Sequence, residues 1–187
     1  MAKRTAKNFS RKKIWEIATE YANTVDAYSR DYYSREYGIS YSTFYTLLER
    51  AVIESIVDEE TVQNMARKAG NNAAGKAGEG ARRRSEKHYE YLLLKRNMYI
   101  LPKTEAMEYT IKYAYSAYDK RIFCKENYIG TKLFNRTVYK AVLENWVSDE
   151  VVIKLKEKSL QKNNSEKVLA FWERLLNYRN GNKKNQG

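Results

Sequence analysis

The stretch AVIESIVDEETV at residues 51–62 returns ninety positions later as AVLENWVSDEVV at residues 141–152. Laid over one another without a gap, residues 27–62 and 117–152 agree at 11 of 36 positions, from Ala27/Ala117 and Tyr28/Tyr118 through Ile39/Ile129 and Phe44/Phe134 to Val62/Val152. Unrelated segments of that length share about two. Conservative pairs such as Arg30/Lys120, Tyr33/Phe123, Arg35/Lys125 and Ile53/Leu143 extend the match. The chain is therefore expected to be two copies of one unit. Its 187 residues, 43% of them apolar, suffice for one ordinary core or two small ones. The only proline, Pro102, falls between the copies in ILPKTEAME and ends whatever helix precedes it. This places the first repeat at 14–101 and the second at 103–180, flanked by a basic arm (1–13) and a disordered tail (181–187).

Within each copy the apolar residues recur at helical spacing. Ile14, Ile17, Tyr21, Val25 and Tyr28 mark a first helix, matched by Met107, Ile111, Ala114 and Tyr118. A longer helix carries Phe44, Leu48, Ala51, Val52 and Ser55 on one face, and its twin carries Phe134, Val138, Ala141, Val142 and Asn145. Asp58 with Glu59 and Glu60, and Ser148 with Asp149 and Glu150, have the composition of an N-cap and acidic first turn. Last helices are expected from Ser85 to Asn97 and from Ser165 to Tyr178, and the Gly-rich residues 70–80 read as a flexible loop. No strand alternation competes, so the fold class is all-α.

Charge narrows the partners. Thirty-five Lys and Arg against 23 Asp and Glu give +12, and both copies are basic: 18 cations to 13 acids in residues 1–102, 17 to 10 in 103–187. Such an excess attracts polyanions, nucleic acid foremost. No run of 18 apolar residues or secretory signal is evident, and the single cysteine, Cys124, forms no internal disulfide. A cytoplasmic protein is expected.

The segment preceding the duplicated helix carries the functional signal. RDYYSREYGISYSTFYTLLE (30–49) has apolar Tyr33 at its fourth position, small Ser34 at the fifth, Gly38 at the ninth, Ile39 at the tenth, Phe44 at the fifteenth and Leu47 at the eighteenth. Two steeply crossing helices need a small residue where they touch, a residue tolerant of positive φ in the turn, and apolar residues fastening the second helix to the core. With this pattern the segment resembles the helix-turn-helix motif of DNA-binding proteins. KRIFCKENYIGTKLFNRTVY (120–139) keeps Phe123, Cys124, Ile129 and Phe134, but has Tyr128 in the glycine's place and Gly130 two residues later. Its gapless alignment to the first copy implies a related bend. The resemblance spans 20 residues of each copy and identifies no narrower family. It implies two tandem helix-turn-helix bundles related by internal duplication.

Expected core positions agree between copies, whereas outward positions of the second helix differ: Tyr41/Thr131, Ser42/Lys132, Tyr45/Asn135, Thr46/Arg136 and Glu49/Tyr139. The first four pairs are the candidate base contacts; Asn and Arg reach base edges in bidentate fashion, so the second copy is expected to read more sharply. Unconstrained drift of exposed positions would produce the same differences. Candidate phosphate contacts are Lys3, Arg4 and Lys7 of the arm, Arg30, Arg35, Arg82, Arg83 and Arg84 in the first copy, and Lys120, Arg121, Lys125 and Lys140 in the second. Two differing heads in one chain predict an asymmetric bipartite site on double-stranded DNA.

Catalytic readings find little support. GNNAAGKA (70–77) misses a phosphate-binding loop by one residue, since Ala77 cannot ligate magnesium and the preceding residues read as helix. Among 17 tyrosines none has a His/Arg constellation, and His88 is the only histidine. Glu54/Glu144 and Glu60/Glu150 are explained by helix turns and solvated faces rather than by a nuclease metal. No enzyme activity, cofactor or metal is expected. The function expected is transcriptional regulation; the alternatives are an accessory factor of a phage or plasmid, such as a small terminase subunit or a transfer or partition protein, and a helical adaptor or inhibitor that ignores DNA. Tyrosine-rich stretches also keep single-stranded nucleic acid in view.

Overall fold

Five of the nine helices among the described residues open where a short polar side chain takes up a free backbone amide. In the computed structural model, which describes residues 9–24, 32 and 35–184, Ser10 Oγ accepts from Lys13 N at 3.2 Å and starts α1, Arg11–Asn23. Ser40 opens α2 (Tyr41–Ile53) by the same bond to Thr43 N. Asp58 opens α3 (Glu59–Ala77) through Thr61 N at 2.8 Å, and α4 (Glu79–Met98) follows across Gly78. After Pro102 come α5 (Lys103–Tyr115) and α6 (Lys120–Glu126). Then follow α7 (Thr131–Leu143), α8 (Asp149–Lys162), capped by Ser148, and α9 (Glu166–Lys184). The described residues form nine helices and no strand, the all-α class that the periodicity predicts. None of these helices is long and apolar enough to cross a membrane.

The helices gather into two groups: α1–α4 together with Asn127–Gly130, and α5–α9. In the first, Ile14, Ile17 and Tyr21 of α1 meet Phe44, Leu47 and Val52 of α2, Met65 of α3 and Leu92 of α4. In the second, Ala141 and Val142 of α7 pack with Val151, Val152 and Leu155 of α8 and with Trp172 and Leu175 of α9. Burying each large apolar side chain contributes about 1.5–3 kcal/mol. Tyr113, Phe123 and Phe134 add a three-ring cluster with centroids 5.1–5.3 Å apart.

Both copies end their duplicated helix in one way. Ser55 and Asn145 stand at φ 51° and 55°. Their amides bond back to Val52 O and Val142 O, and the next amides reach Ala51 O and Ala141 O. This paired arrangement closes a helix C-terminus around a left-handed residue. Ser55 and Asn145 therefore end the helical run rather than extend its apolar face.

Several expectations are corrected. Residues 70–77 are helical: α3 runs to Ala77, and Gly78 at φ 75° is the break. Packing against α4 outweighs the poor helix propensity of GNNAAG, with Gly70 lying where an added Cβ would be 3.3 Å from Arg82 Cγ. The helix expected from Ser85 begins at Glu79. Arg11, Lys12 and Lys13 belong to α1 rather than to an arm, and 181–184 continue α9. In α5 the buried residues are Ala106, Thr110 and Ala114; Ile111 is exposed, and Tyr118, also exposed, lies beyond the helix's end at Tyr115. Thr110 is accommodated because its hydroxyl donates to Ala106 O at 2.6 Å. Val25, Tyr28, Tyr33 and Ser34 lie outside the described residues.

Candidate nucleic-acid interface

The turn ahead of each candidate reading helix holds a left-handed residue at the same position. Gly38 has φ 62° and Tyr128 φ 51°, so the second copy keeps the left-handed turn without glycine, at a conformational cost of about 1–2 kcal/mol. Contacts offset this cost. Tyr128 packs against Trp15 with centroids 5.4 Å apart, and its carbonyl accepts from Arg11 Nε at 3.1 Å. Gly130 serves a separate purpose: its amide donates to Ser55 O at 2.8 Å, and a Cβ there would fall 2.9 Å from Ser55 Cβ.

On α2, Tyr41, Ser42 and Thr46 are exposed. Thr46 Oγ1 donates to Ser42 O at 2.9 Å. Tyr45 is half-buried against His88 of α4, with ring centroids 5.5 Å apart. On α7, Thr131, Lys132 and Asn135 are exposed, whereas Arg136 is half-buried. The last helix of each unit thus lies along one flank of the candidate reading helix: His88 Nε2 sits 3.1 Å from Glu49 Oε1, within ion-pair reach, and Phe171 packs on Tyr139 at 6.4 Å. The exposed polar side chains lie on the first two turns of α2 and α7, with Tyr139 also exposed beyond them on α7.

Among the candidate phosphate contacts, Arg35, Arg83 and Arg84 are exposed, as are Arg121 and Lys125. Arg82 is held by Glu86 at 3.0 Å and lies near Glu79; the hydrogen bond to Glu86 raises its pKa further. Lys120 is half-exposed at the start of α6, where Asp119 Oδ1 accepts from Arg121 N and Ile122 N at 2.7 and 3.0 Å. Those two amides hold the Asp119 carboxyl below its usual range. Lys140 Nζ lies 5.4 Å from the centroid of Trp146. Lys3, Arg4, Lys7 and Arg30 lie outside the described residues. Glu54 accepts from Arg11 at 3.2 Å and Arg50 at 2.6 Å, which gives it a structural partner set. No group of three His, Cys, Asp or Glu suited to a metal occurs among the described residues.

Two pairs of supporting residues recur in the copies: Lys68 and Lys158, ninety positions apart, and Arg96 and Arg179, 83 apart, which a single gapless alignment misses. Lys68 caps the end of α1 through Thr24 O at 3.2 Å and lies 4.9 Å over Tyr21. Lys158 does the same for α5 through Ser116 O, 4.3 Å over Tyr113. Burial at this site lowers the Lys158 pKa. Arg96 donates to Ser55 Oγ at 2.9 Å and Val57 O at 3.3 Å. Arg179, 2% exposed, donates to Val142 O at 2.7 Å and Val147 O at 2.6 Å. The signal was present as LLLKRN (92–97) and LLNYRN (175–180), displaced by 83 rather than ninety positions. Compared with known proteins, the chain matches no family model, no curated protein and no solved structure at significance.

Proposed function

We propose that the chain is a non-catalytic, double-stranded DNA-binding protein whose two helix-turn-helix units, related by internal duplication, act as an intramolecular pseudo-dimer in transcriptional regulation. The observation that carries this reading is a coincidence of three features in both copies. A left-handed turn residue, Gly38 or Tyr128, precedes a helix whose first two turns expose polar side chains, and the chain bearing them has a charge of +12. Lys132 and Asn135 in the second copy supply hydrogen-bonding groups for base edges, while Tyr41, Ser42 and Thr46 suit phosphates and thymine methyls. Arg121, Lys125 and Arg35 set register on the backbone and contribute the salt-sensitive part of affinity.

Because the two heads carry different side chains, the favoured site is asymmetric. Selection of bound duplexes from a random-sequence pool at near-physiological salt tests this. The expected result is an enriched site of two unlike blocks about 10 base pairs apart. Enrichment of nothing, with binding that vanishes as salt rises, would sink the reading and leave the charge to nonspecific contact.

A further inference from the structure

In the second unit a groove of about 1140 Å³ opens among α7, α8 and α9. Its floor is apolar, built from Phe134, Val138, Leu155, Trp172 and Leu175. Its edge is cationic, with Lys120, Arg121, Arg136, Lys140 and Lys162 against a single lining carboxylate, Glu144. Lys162 also lies 4.0 Å from Asp119, an exposed pair that solvent weakens. Lys158 is already committed, donating to Tyr113 O, Ser116 O and Ser116 Oγ.

The first unit shows why the space exists. There α3 and α4 lie close, with Gly70 near Arg82 Cγ, and the flanking contact is the ionisable pair His88 and Glu49. In the second unit α8 stops at Lys162, five residues shorter than α3 (14 against 19). The flanking contact has become Phe171 on Tyr139, so two aromatic rings stand where the first unit has an imidazole and a carboxylate.

An apolar floor repels hydrated ions and gives a sugar-phosphate chain nothing to bond, whereas a cationic edge selects negative charge. The volume lies at or above the usual 300–1,000 Å³ of sites for small organic ligands. The Trp172 indole N–H is buried and meets no acceptor among the described residues, so this wall is not internally satisfied. We propose that this groove binds an amphipathic organic anion: a small molecule with an aromatic or branched apolar body and one carboxylate, sulfonate or phosphate group. The apolar body lies over Trp172 and Leu175, and the anionic group faces Arg121 and Lys162. This assignment does not depend on DNA binding.

The test uses the full chain and two probes of matched shape, 8-anilinonaphthalene-1-sulfonate and the uncharged N-phenyl-1-naphthylamine, titrated by calorimetry and by probe fluorescence. One saturable site per chain is expected, with the anion bound about tenfold more tightly than the neutral probe. Arg121→Glu with Lys162→Glu, both at the exposed edge, should weaken the anion about tenfold or more while leaving the neutral probe within about twofold. Ser159→Trp, which fills the groove, should abolish both, with an unchanged helical circular dichroism spectrum and melting curve showing that the variant folds. The edge variant decides the matter if the filled one does not fold. Absence of saturable binding, equal affinity for both probes, or anion binding indifferent to the edge charges would overturn the proposal.

Discussion

Arg179 shows how much one side chain can hold. Its guanidinium bonds two buried carbonyls, Val142 O and Val147 O, on either side of the left-handed Asn145, and Asn145 Nδ2 in turn donates to Arg179 O at 3.4 Å. The contact to Asp149 at 2.9 Å adds less, because that carboxylate is 66% exposed. Removing the guanidinium strands two buried acceptors at about 1–3 kcal/mol each. Arg179→Ala is therefore expected to lower unfolding free energy by about 3 kcal/mol in urea titration, and a loss below about 1 kcal/mol would discount the network. Cys124 supplies a residue-scale prediction in pH. Burial pushes its thiol up from 9.0 to about 11, so the folded state keeps the neutral form. The associated stability is intact below pH 9.0 and fades as pH rises toward about 11. At about pH 8 the folded protein should be alkylated by iodoacetamide roughly a hundredfold more slowly than the urea-unfolded chain, as mass spectrometry would follow. Comparable rates would mean that the thiol is accessible.

At the scale of elements, α3 gives the sharpest contrast with composition. Its last two turns read as linker, because glycine, asparagine and alanine crowd together there; packing on α4 makes them helix. Gly75 tests this cleanly, since a Cβ there would touch nothing within 4 Å. Gly75→Ala should raise stability by about 0.8–1.0 kcal/mol in thermal or urea unfolding if this stretch is helical. A change near zero would restore the loop. The same contrast explains what could be read in advance. α2 and α7 have equal length and sit ninety positions apart, so their shared core residues line up without a gap. The helices that follow, α3 and α8, also start ninety positions apart, whereas the first and last helices of each copy do not. Tyr21 and Tyr113 fill like places 92 positions apart, beneath Lys68 and Lys158, and Arg96 and Arg179 do so 83 apart. Changes of length between elements hide such partners from one fixed offset, although contact geometry reveals them. Tyr128 was obscured differently: a side chain stands where the backbone suggests glycine, and Trp15 and Arg11 support it.

For the molecule as a whole, a charge of +12 predicts attraction to polyanions but not which cations meet them. The structure separates the candidates by their surroundings. Arg82 is engaged by two glutamates and Lys140 lies over Trp146, whereas Arg121 and Lys125 are exposed on α6, and Lys132 and Asn135 are exposed on α7. Under the proposed function the first pair faces phosphates and the second faces bases. A phosphate contact releases counterions and lends affinity to every sequence alike; a base contact lends affinity to one sequence and leaves the salt dependence largely unchanged. Arg121→Ala should therefore weaken selected and scrambled duplexes equally, and reduce the magnitude of the slope of log affinity against log salt by about 1. Asn135→Ala should instead narrow the gap between the selected and scrambled duplexes by about 1–3 kcal/mol with the slope nearly unchanged. Fluorescence anisotropy across a salt series on both duplexes measures the two quantities together. If both substitutions moved the slope alike and neither changed the preference, α7 would be another backbone contact rather than a reading helix, and sequence specificity would have to come from elsewhere in the chain.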